Sequence, residues 1–282
     1  MSTSARDQFR DDWLSLREPA DHRARAEHLL APLRQWLAPH PRITVADLGS
    51  GRGSNLQYLA PRLAVPQHWV LLDHDPELLA QAQARTCPEQ VTQLDVQQVD
   101  LRQAHSWQPF CKGVHLMTAS ALIDIVSSTW LQSWVAFGVA QGSAFLVALS
   151  VDGRWQCSPE HPDDTWIQKL FNTHQQAEGA FGGSLGPAAS PEMTRLLQAQ
   201  GYRVSLAQSP WQLEPHETAL QTQLLQGWAH AAHEQSPTYT ARIEAWQQAR
   251  QGWINQNQSH LMVGHTDLIA VPESVYATQP VA

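Results

Sequence analysis

The sequence predicts an α/β protein: a doubly wound, mostly parallel seven-stranded sheet with helices on both faces, plus a helical N-terminal cap and insertions. Three observations carry this. Short apolar runs alternate with segments of three- and four-residue apolar spacing. The runs are continuous rather than alternating, as in strands buried on both faces of a parallel sheet. Glycines gather where the first run meets the first helical segment, a place where the chain must turn sharply.

Taken in order, residues 5–38 read as helical, with Trp13, Leu14 and Leu16 and then Leu29, Leu30, Leu33, Trp36 and Leu37 at helical spacing. Pro19 is expected to break this stretch, with Asp21 capping a second helix. Strands follow at 43–48 and 69–72, with a third inside 91–99 and others at 114–119 and 144–150. Helices fill the gaps at 54–63, 76–85 and 127–139, and Pro76 sits in a first helical turn, where proline is favoured. Residues 152–190 are rich in Gly, Pro, His and polar side chains and read as a loop-rich insertion with one short helix near 166–171. A helix at 191–200, a strand at 202–209, a helical region at about 216–256 and a strand at 261–271 complete the chain. The expected organisation is a cap (1–41), a Rossmann-type core (42–151), a substrate-covering insertion (152–190) and the rest of the core with its helical insertion (191–282).

Composition narrows the partners. With 282 residues, 43% hydrophobic and 16% charged, the chain buries a substantial core. No apolar run approaches the roughly 18–20 residues of a membrane span. The first residues lack the apolar stretch of a secretory signal, and Cys87, Cys111 and Cys157 show no CxxC spacing, which fits a cytoplasmic protein. Eighteen basic against 26 acidic residues, with no Lys/Arg cluster, argue against nucleic acid and anionic membranes as partners. A small molecule is the expected partner, and the sequence does not indicate an oligomeric state. Twelve tryptophans supply stacking surface for a flat ligand or for the core.

The chemistry concentrates in Val45-Ala46-Asp47-Leu48-Gly49-Ser50-Gly51-Arg52-Gly53-Ser54-Asn55, at the first strand-to-helix turn. A pyrophosphate site calls for G-x-G-x-x-G, whereas this spacing is G-x-G-x-G with an acid, Asp47, two residues ahead. An acid there suits a cationic amino group better than a phosphate. Asp73 closes the second strand, 20 residues after Gly53, where a carboxylate accepts hydrogen bonds from both ribose hydroxyls.

This assembly resembles the class I S-adenosylmethionine-dependent methyltransferases. Their first motif, (Asp/Glu)-x-Gly-x-Gly-x-Gly, is similar to Asp47 through Gly53, and their second, an apolar strand ending in an acid, to Val70-Leu71-Leu72-Asp73-His74-Asp75-Pro76. The resemblance implies S-adenosylmethionine as cofactor. It has Gly49, Gly51 and Gly53 wrapping the methionine part and sugar, Asp73 holding the ribose, Asp100 reading the adenine and Leu101 packing on the ring. Asp95 is the alternative to Asp100, and Ser50, Asn55, His74 and Ala119 complete the cofactor set. A Rossmann-like sheet whose last strand runs antiparallel is also implied.

Base-methylating members carry (Asn/Asp)-Pro-Pro-(Tyr/Phe) after the fourth strand. Here that stretch is Met117-Thr118-Ala119-Ser120-Ala121-Leu122-Ile123-Asp124, without proline or aromatic, which points to a small-molecule acceptor. Methyl transfer from a sulfonium needs positioning, and a base where the acceptor loses a proton. Asp124 and His174 are the expected catalytic residues, and Arg17, Asp124, Arg154 and His174 the expected substrate contacts. Asp21 in the cap and a glycine-rich hinge at 181–187 are further candidates for the mouth. His230 and His233 lack the ligands of a metal site, and no metal is expected. Two other readings stay open: an RNA or protein methyltransferase, and a non-catalytic protein that binds S-adenosylmethionine or a nucleoside.

Overall fold

A computed structural model describes residues 3–176 and 181–273, with side chains from residue 13 onward. Its sheet has eight strands: β1 (Ile43–Leu48), β2 (Gln67–Asp73), β3 (Val91–Gln98), β4 (Leu116–Ser120), β5 (Ala144–Ser158), β6 (Tyr202–Gln208), β7 (Trp211–Leu213) and β8 (His260–Pro272). The order is β3-β2-β1-β4-β5-β8-β6, with β7 also paired to β8. β1 to β5 are parallel, and β8 runs antiparallel between β5 and β6. The strand missing from the sequence reading is β7. Three residues are too short to show a period, and β7 exists through its pairing with Leu261, Met262 and Val263.

The helices are α1 (Thr3–Ala24), α2 (Leu30–Leu37), α3 (Ser54–Leu59), α4 (Pro76–Ala84), α5 (Ala104–Trp107), α6 (Ser128–Ala140), α7 (Asp164–Gln175), α8 (Ala189–Gln198), α9 (Thr218–Gln235) and α10 (Thr240–Asn255). Adjacent strand residues feed opposite layers, as the two-residue strand period requires. Val45, Leu71, Leu116, Leu146 and Ile269 pack with Leu33 and Leu37 of α2, Leu56 and Leu59 of α3 and Leu79 of α4. Their neighbours Ala46, Leu72, Met117, Val147 and Ala270 pack with Leu131 and Trp134 of α6 and Met193 and Leu197 of α8. Local chemistry sets the helix starts: Asp75 accepts from the amides of Glu77 and Leu78 ahead of Pro76, and the Ser127 hydroxyl accepts from Trp130 N.

Two expectations change. Pro19 does not break the first helix, and Asp21 lies inside α1 rather than at a cap. A mid-helix proline costs about 3 kcal/mol, and anchors on both sides of it offset that cost. Arg17 pairs with Asp21, Glu18 with Arg85, and Trp211 Nε1 donates to Asp21. The first part of the expected insertion is strand rather than loop. β5 continues to Ser158 through two register shifts, pairing Trp155 to Ser158 with Val263 to His260. The polar Asp152-Gly153-Arg154 that reads as loop marks a bulge, a place where strands bend without ending. Beyond it Trp155 stacks on Trp228 of α9 at 4.4 Å, within a third core that includes Ile167, Trp211, Ile243 and Trp246.

Asp267 of β8 ties these parts together. It is 2% exposed and accepts from Leu149 N (2.8 Å), Ser209 Oγ (2.7 Å) and Ala26 N (3.0 Å), with Arg25 Nε at 3.5 Å. Asp267→Ala strands the buried Arg25 charge and two amides, so the unfolding free energy is expected to fall by about 3–5 kcal/mol. Denaturant titration checks this, and a loss below about 1 kcal/mol contradicts it.

Candidate functional site

A cleft of about 460 Å³ opens at the carboxyl ends of β1, β2 and β4, where open parallel sheets place their ligands. The turn after β1 forms its floor. Gly49 N and Ser50 N donate to Leu72 O at 2.8 and 3.1 Å, and Gly53 N to Ser50 O at 2.9 Å. Gly49, Gly51 and Gly53 have φ of 68°, 50° and 78°, the left-handed region in which a side chain is strained. Gly49 and Gly51 line the cleft. Gly53 does not: a Cβ there would sit 3.3 Å from Ala82 Cβ, so this glycine lets the turn pack against α4.

Asp73 closes β2 beside this turn and is 6% exposed. Its Oδ2 accepts from Gly51 N at 2.8 Å and its Oδ1 from Asp75 N at 3.0 Å, while exposed His74 places Nδ1 at 3.1 Å from Oδ1. A carboxylate has about four lone-pair positions. The two amides leave one acceptor position on Oδ2, while the second position on Oδ1 faces the exposed His74 ring, which a vicinal diol would displace.

Asp100, Leu101 and Arg102 form the far rim. Arg102 grips Asp100 with Nε and Nη2, both at 2.8 Å, and these hydrogen bonds hold the Asp100 carboxyl down at about 2. Asp95 lies on β3 with His68 Nε2 at 2.8 Å and does not line the cleft.

Beneath the floor is a buried polar chain. Asn55 lines the cleft and donates Nδ2 to Asp47 Oδ1 (3.0 Å) and to Thr118 Oγ1 (3.1 Å), while Arg25 donates to Asn55 Oδ1 (3.0 Å). Asp47 and Ala119 therefore sit one layer below the cleft surface, with Asn55 between Asp47 and any ligand. Burial pushes the Asp47 carboxyl up to about 7, and its Oδ2 has no hydrogen-bond partner among the described residues.

The other candidates divide. Arg17 lines the cleft, paired with Asp21 through Nε (2.9 Å) and Nη2 (3.2 Å). Asp124 does not line the cleft, although its chain neighbours Leu122 and Ile125 do; burial pushes its carboxyl up to about 6. Arg154 and His174 lie outside the cleft. The continuation of β5 carries Arg154 to an exposed position on Asp152, and α7 turns His174 toward α9, where Nε2 is 2.6 Å from Glu234 Oε2. Of residues 152–190, Phe181 is the one described residue lining the cleft. Sequence reasoning missed Leu14, Leu122 and Ile125, apolar residues in apolar surroundings that carry no chemical signal.

No family model and no curated protein matches the chain. Solved structures do. A cyclopropane synthase from Mycobacterium tuberculosis is 12% identical over 86% of this chain and 83% of its own, with a TM-score of 0.43. The YcgJ protein of Bacillus subtilis is 13% identical over 87% and 99%, at 0.47. A Geobacter sulfurreducens methyltransferase in complex with S-adenosyl-L-homocysteine is 13% identical over 88% and 92%, at 0.41. The antiparallel run of β8 between β5 and β6 agrees with the expectation for the last strand.

Asp47 yields a prediction with a definite sign. Its raised carboxyl holds a proton more tightly folded than unfolded, so its contribution is most favourable below about pH 4 and erodes as pH rises toward 7. Asp47→Asn removes the erosion. The variant's stability relative to the parent should rise between about pH 4 and about pH 7 and level off above. Identical pH slopes for the two proteins in denaturant titrations contradict this.

Proposed function

We propose that the protein transfers a methyl group from S-adenosylmethionine to a small-molecule acceptor. The observation that carries this reading is Asp73, buried beside the glycine turn with an acceptor position open on Oδ2 and only the exposed His74 ring at the second position of Oδ1.

The residues present fit the cofactor. Asp73 would hold the ribose hydroxyls, and Asp100 and Leu101 stand where an adenine would lie along the rim. Gly49 and Gly51 leave the turn without side chains where the sugar and amino-acid part would pass; a Cβ on Gly49 would press to 3.2 Å of Leu122 Cδ1. Ser50 Oγ is buried without a partner among the described residues, and Asn55 presents its amide at the floor above Asp47. When bound, S-adenosylmethionine supplies an electrophilic methyl on a sulfonium.

The protein's own work is positioning and exclusion of water. α1 lies over the turn, with Leu14 Cδ1 3.8 Å from where a Gly51 Cβ would be, His22 Nε2 3.0 Å from Ser54 Oγ, and Glu18 paired with Arg85. Leu122, Ile125 and Phe181 shield the side across from Asp73. Asp124, with its carboxyl near 6, is suited to take a proton close to neutral pH. A small acceptor agrees with the cleft volume and with the net charge of −8, which offers nothing to a polyanion.

Hydrogen bonds to a charged group contribute about 1.5–3 kcal/mol each. Asp73→Asn keeps the side-chain shape but loses the charge, so S-adenosylmethionine should bind about 10- to 100-fold more weakly by calorimetry, with the circular dichroism spectrum unchanged. Undiminished affinity in the folded variant overturns this assignment.

A further inference from the structure

Polar side chains that the cofactor site does not use gather at and behind one part of the cleft: Arg17 and Asp21 line it, and Asp124 and His265 are buried outside its lining. Arg17 stands among them. Its guanidinium lies 5.3 Å from the Trp211 ring and spends two of its five N–H donors on Asp21, which Trp211 Nε1 also holds at 3.0 Å. The remaining donors are available to a group in the cleft that Arg17 lines.

Two buried side chains near Arg17 each have an atom without a partner among the described residues. Asp124 is 7% exposed, with Oδ1 unpaired, and His265 is 4% exposed, with Nδ1 unpaired. His265 packs on the same Trp211 ring at 5.0 Å, and both groups feel the Arg17 charge. The loop that carries Asp124 is pinned from behind: Gly186 N donates to Asp124 O at 2.7 Å and Leu185 N to Val126 O at 3.0 Å. An unsatisfied buried polar atom costs about 1–3 kcal/mol. Such atoms gathered beside a cleft mark a place built for a ligand's polar group.

The charge balance selects the ligand. Asp21 and Asp124 are two acids beside the Arg17 guanidinium; Arg25, which also acts on Asp21, is paired with Asp267, and Asp152 adds a third acid near His265. His265 adds no positive charge, because burial, with Arg17 beside it, holds its ring down at about 4. A carboxylate or phosphate acceptor would meet no net positive partner. A protonated amine would have no lone pair to react. A hydroxyl donates to a carboxylate and accepts from a guanidinium at once. The cleft lining also includes the apolar Leu14, Leu122, Ile125 and Phe181.

We propose that this part of the cleft is the acceptor subsite and that the acceptor is an uncharged hydroxyl compound with an apolar body, its O–H directed to Asp124 and its oxygen to Arg17. The inference rests on the methyltransferase reading and adds the acceptor class to it. In the transfer, the hydroxyl oxygen forms the new C–O bond to the methyl carbon and the electron pair of the broken C–S bond stays on sulfur. The hydroxyl proton passes to the Asp124 carboxylate and then to solvent. His265 is a positioning residue, a neutral wall beside Arg17.

The test uses three probes of one shape, 4-propylphenol, 4-propylaniline and 4-propylbenzoate, on the full chain. S-adenosylhomocysteine binding is measured first by calorimetry. Its absence fells the methyltransferase reading and this inference together. With S-adenosylhomocysteine bound, the phenol should bind at least about 10-fold more tightly than the benzoate by tryptophan fluorescence. The phenol alone should take up labelled methyl from S-adenosylmethionine. Asp124→Asn should lower turnover at saturating phenol by about 100-fold or more. Arg17→Met, which does not remove the base, should weaken phenol binding about tenfold. If S-adenosylhomocysteine binds but the phenol does not, or the benzoate or aniline is the better acceptor, or Asp124→Asn keeps its turnover, the acceptor assignment is overturned and the cofactor reading stands.

Discussion

The hydrogen bond from Gly51 N to Asp73 Oδ2 is the contact on which the candidate site depends. It joins the end of β2 to the turn after β1 and fixes both the carboxylate and the left-handed bend. Leu72 O reinforces the join by accepting from Gly49 and Ser50. An acid at this position is costly to bury unless its oxygens are occupied, and backbone amides occupy half of its capacity. Asp73 also lines the cleft, so the local structure that steadies the turn sets a carboxylate at the cleft wall.

α1 connects this turn to the far end of the molecule. One stripe, Leu14, Glu18 and His22, lies against Gly51, Arg85 and Ser54; the next, Trp13, Arg17 and Asp21, lies against Trp211. Both stripes repeat every four residues, the spacing of one helix face. Arg25 and Ala26 continue the connection to Asp267 and through it to the bulge at Leu149. The cap, the glycine turn and the third core are therefore coupled through one helix, and the proposed acceptor subsite falls at the junction.

Most of the sheet was legible in the sequence because parallel strands buried on both faces leave unbroken apolar runs, as in Ile43–Leu48. The glycine turn and Asp73 were legible for a different reason: their residue types are fixed by φ and by charge, not by packing. What escaped had no local signature. β7 is three residues long, the continuation of β5 looks polar because it bulges at Asp152-Gly153-Arg154, and Pro19 stays helical only because partners distant in sequence hold α1. At the site, Arg154 and His174 have suitable chemistry but are carried elsewhere by β5 and α7. His265, inside β8, becomes notable only when its unpaired Nδ1 is seen beside Trp211. Chemistry-bearing residues are thus read well from sequence when a short motif positions them and poorly when tertiary packing does.

The central claim is that Asp73 grips a sugar diol, and changing the ligand tests it without touching the protein. Calorimetry with S-adenosylhomocysteine and with its 2′,3′-dideoxyribose counterpart compares two ligands that differ only in those hydroxyls. The dideoxy compound should bind at least about 10-fold more weakly, since two hydrogen bonds to a charged acceptor are lost. Equal affinity for the two would show that the carboxylate closing β2 does not hold the ribose.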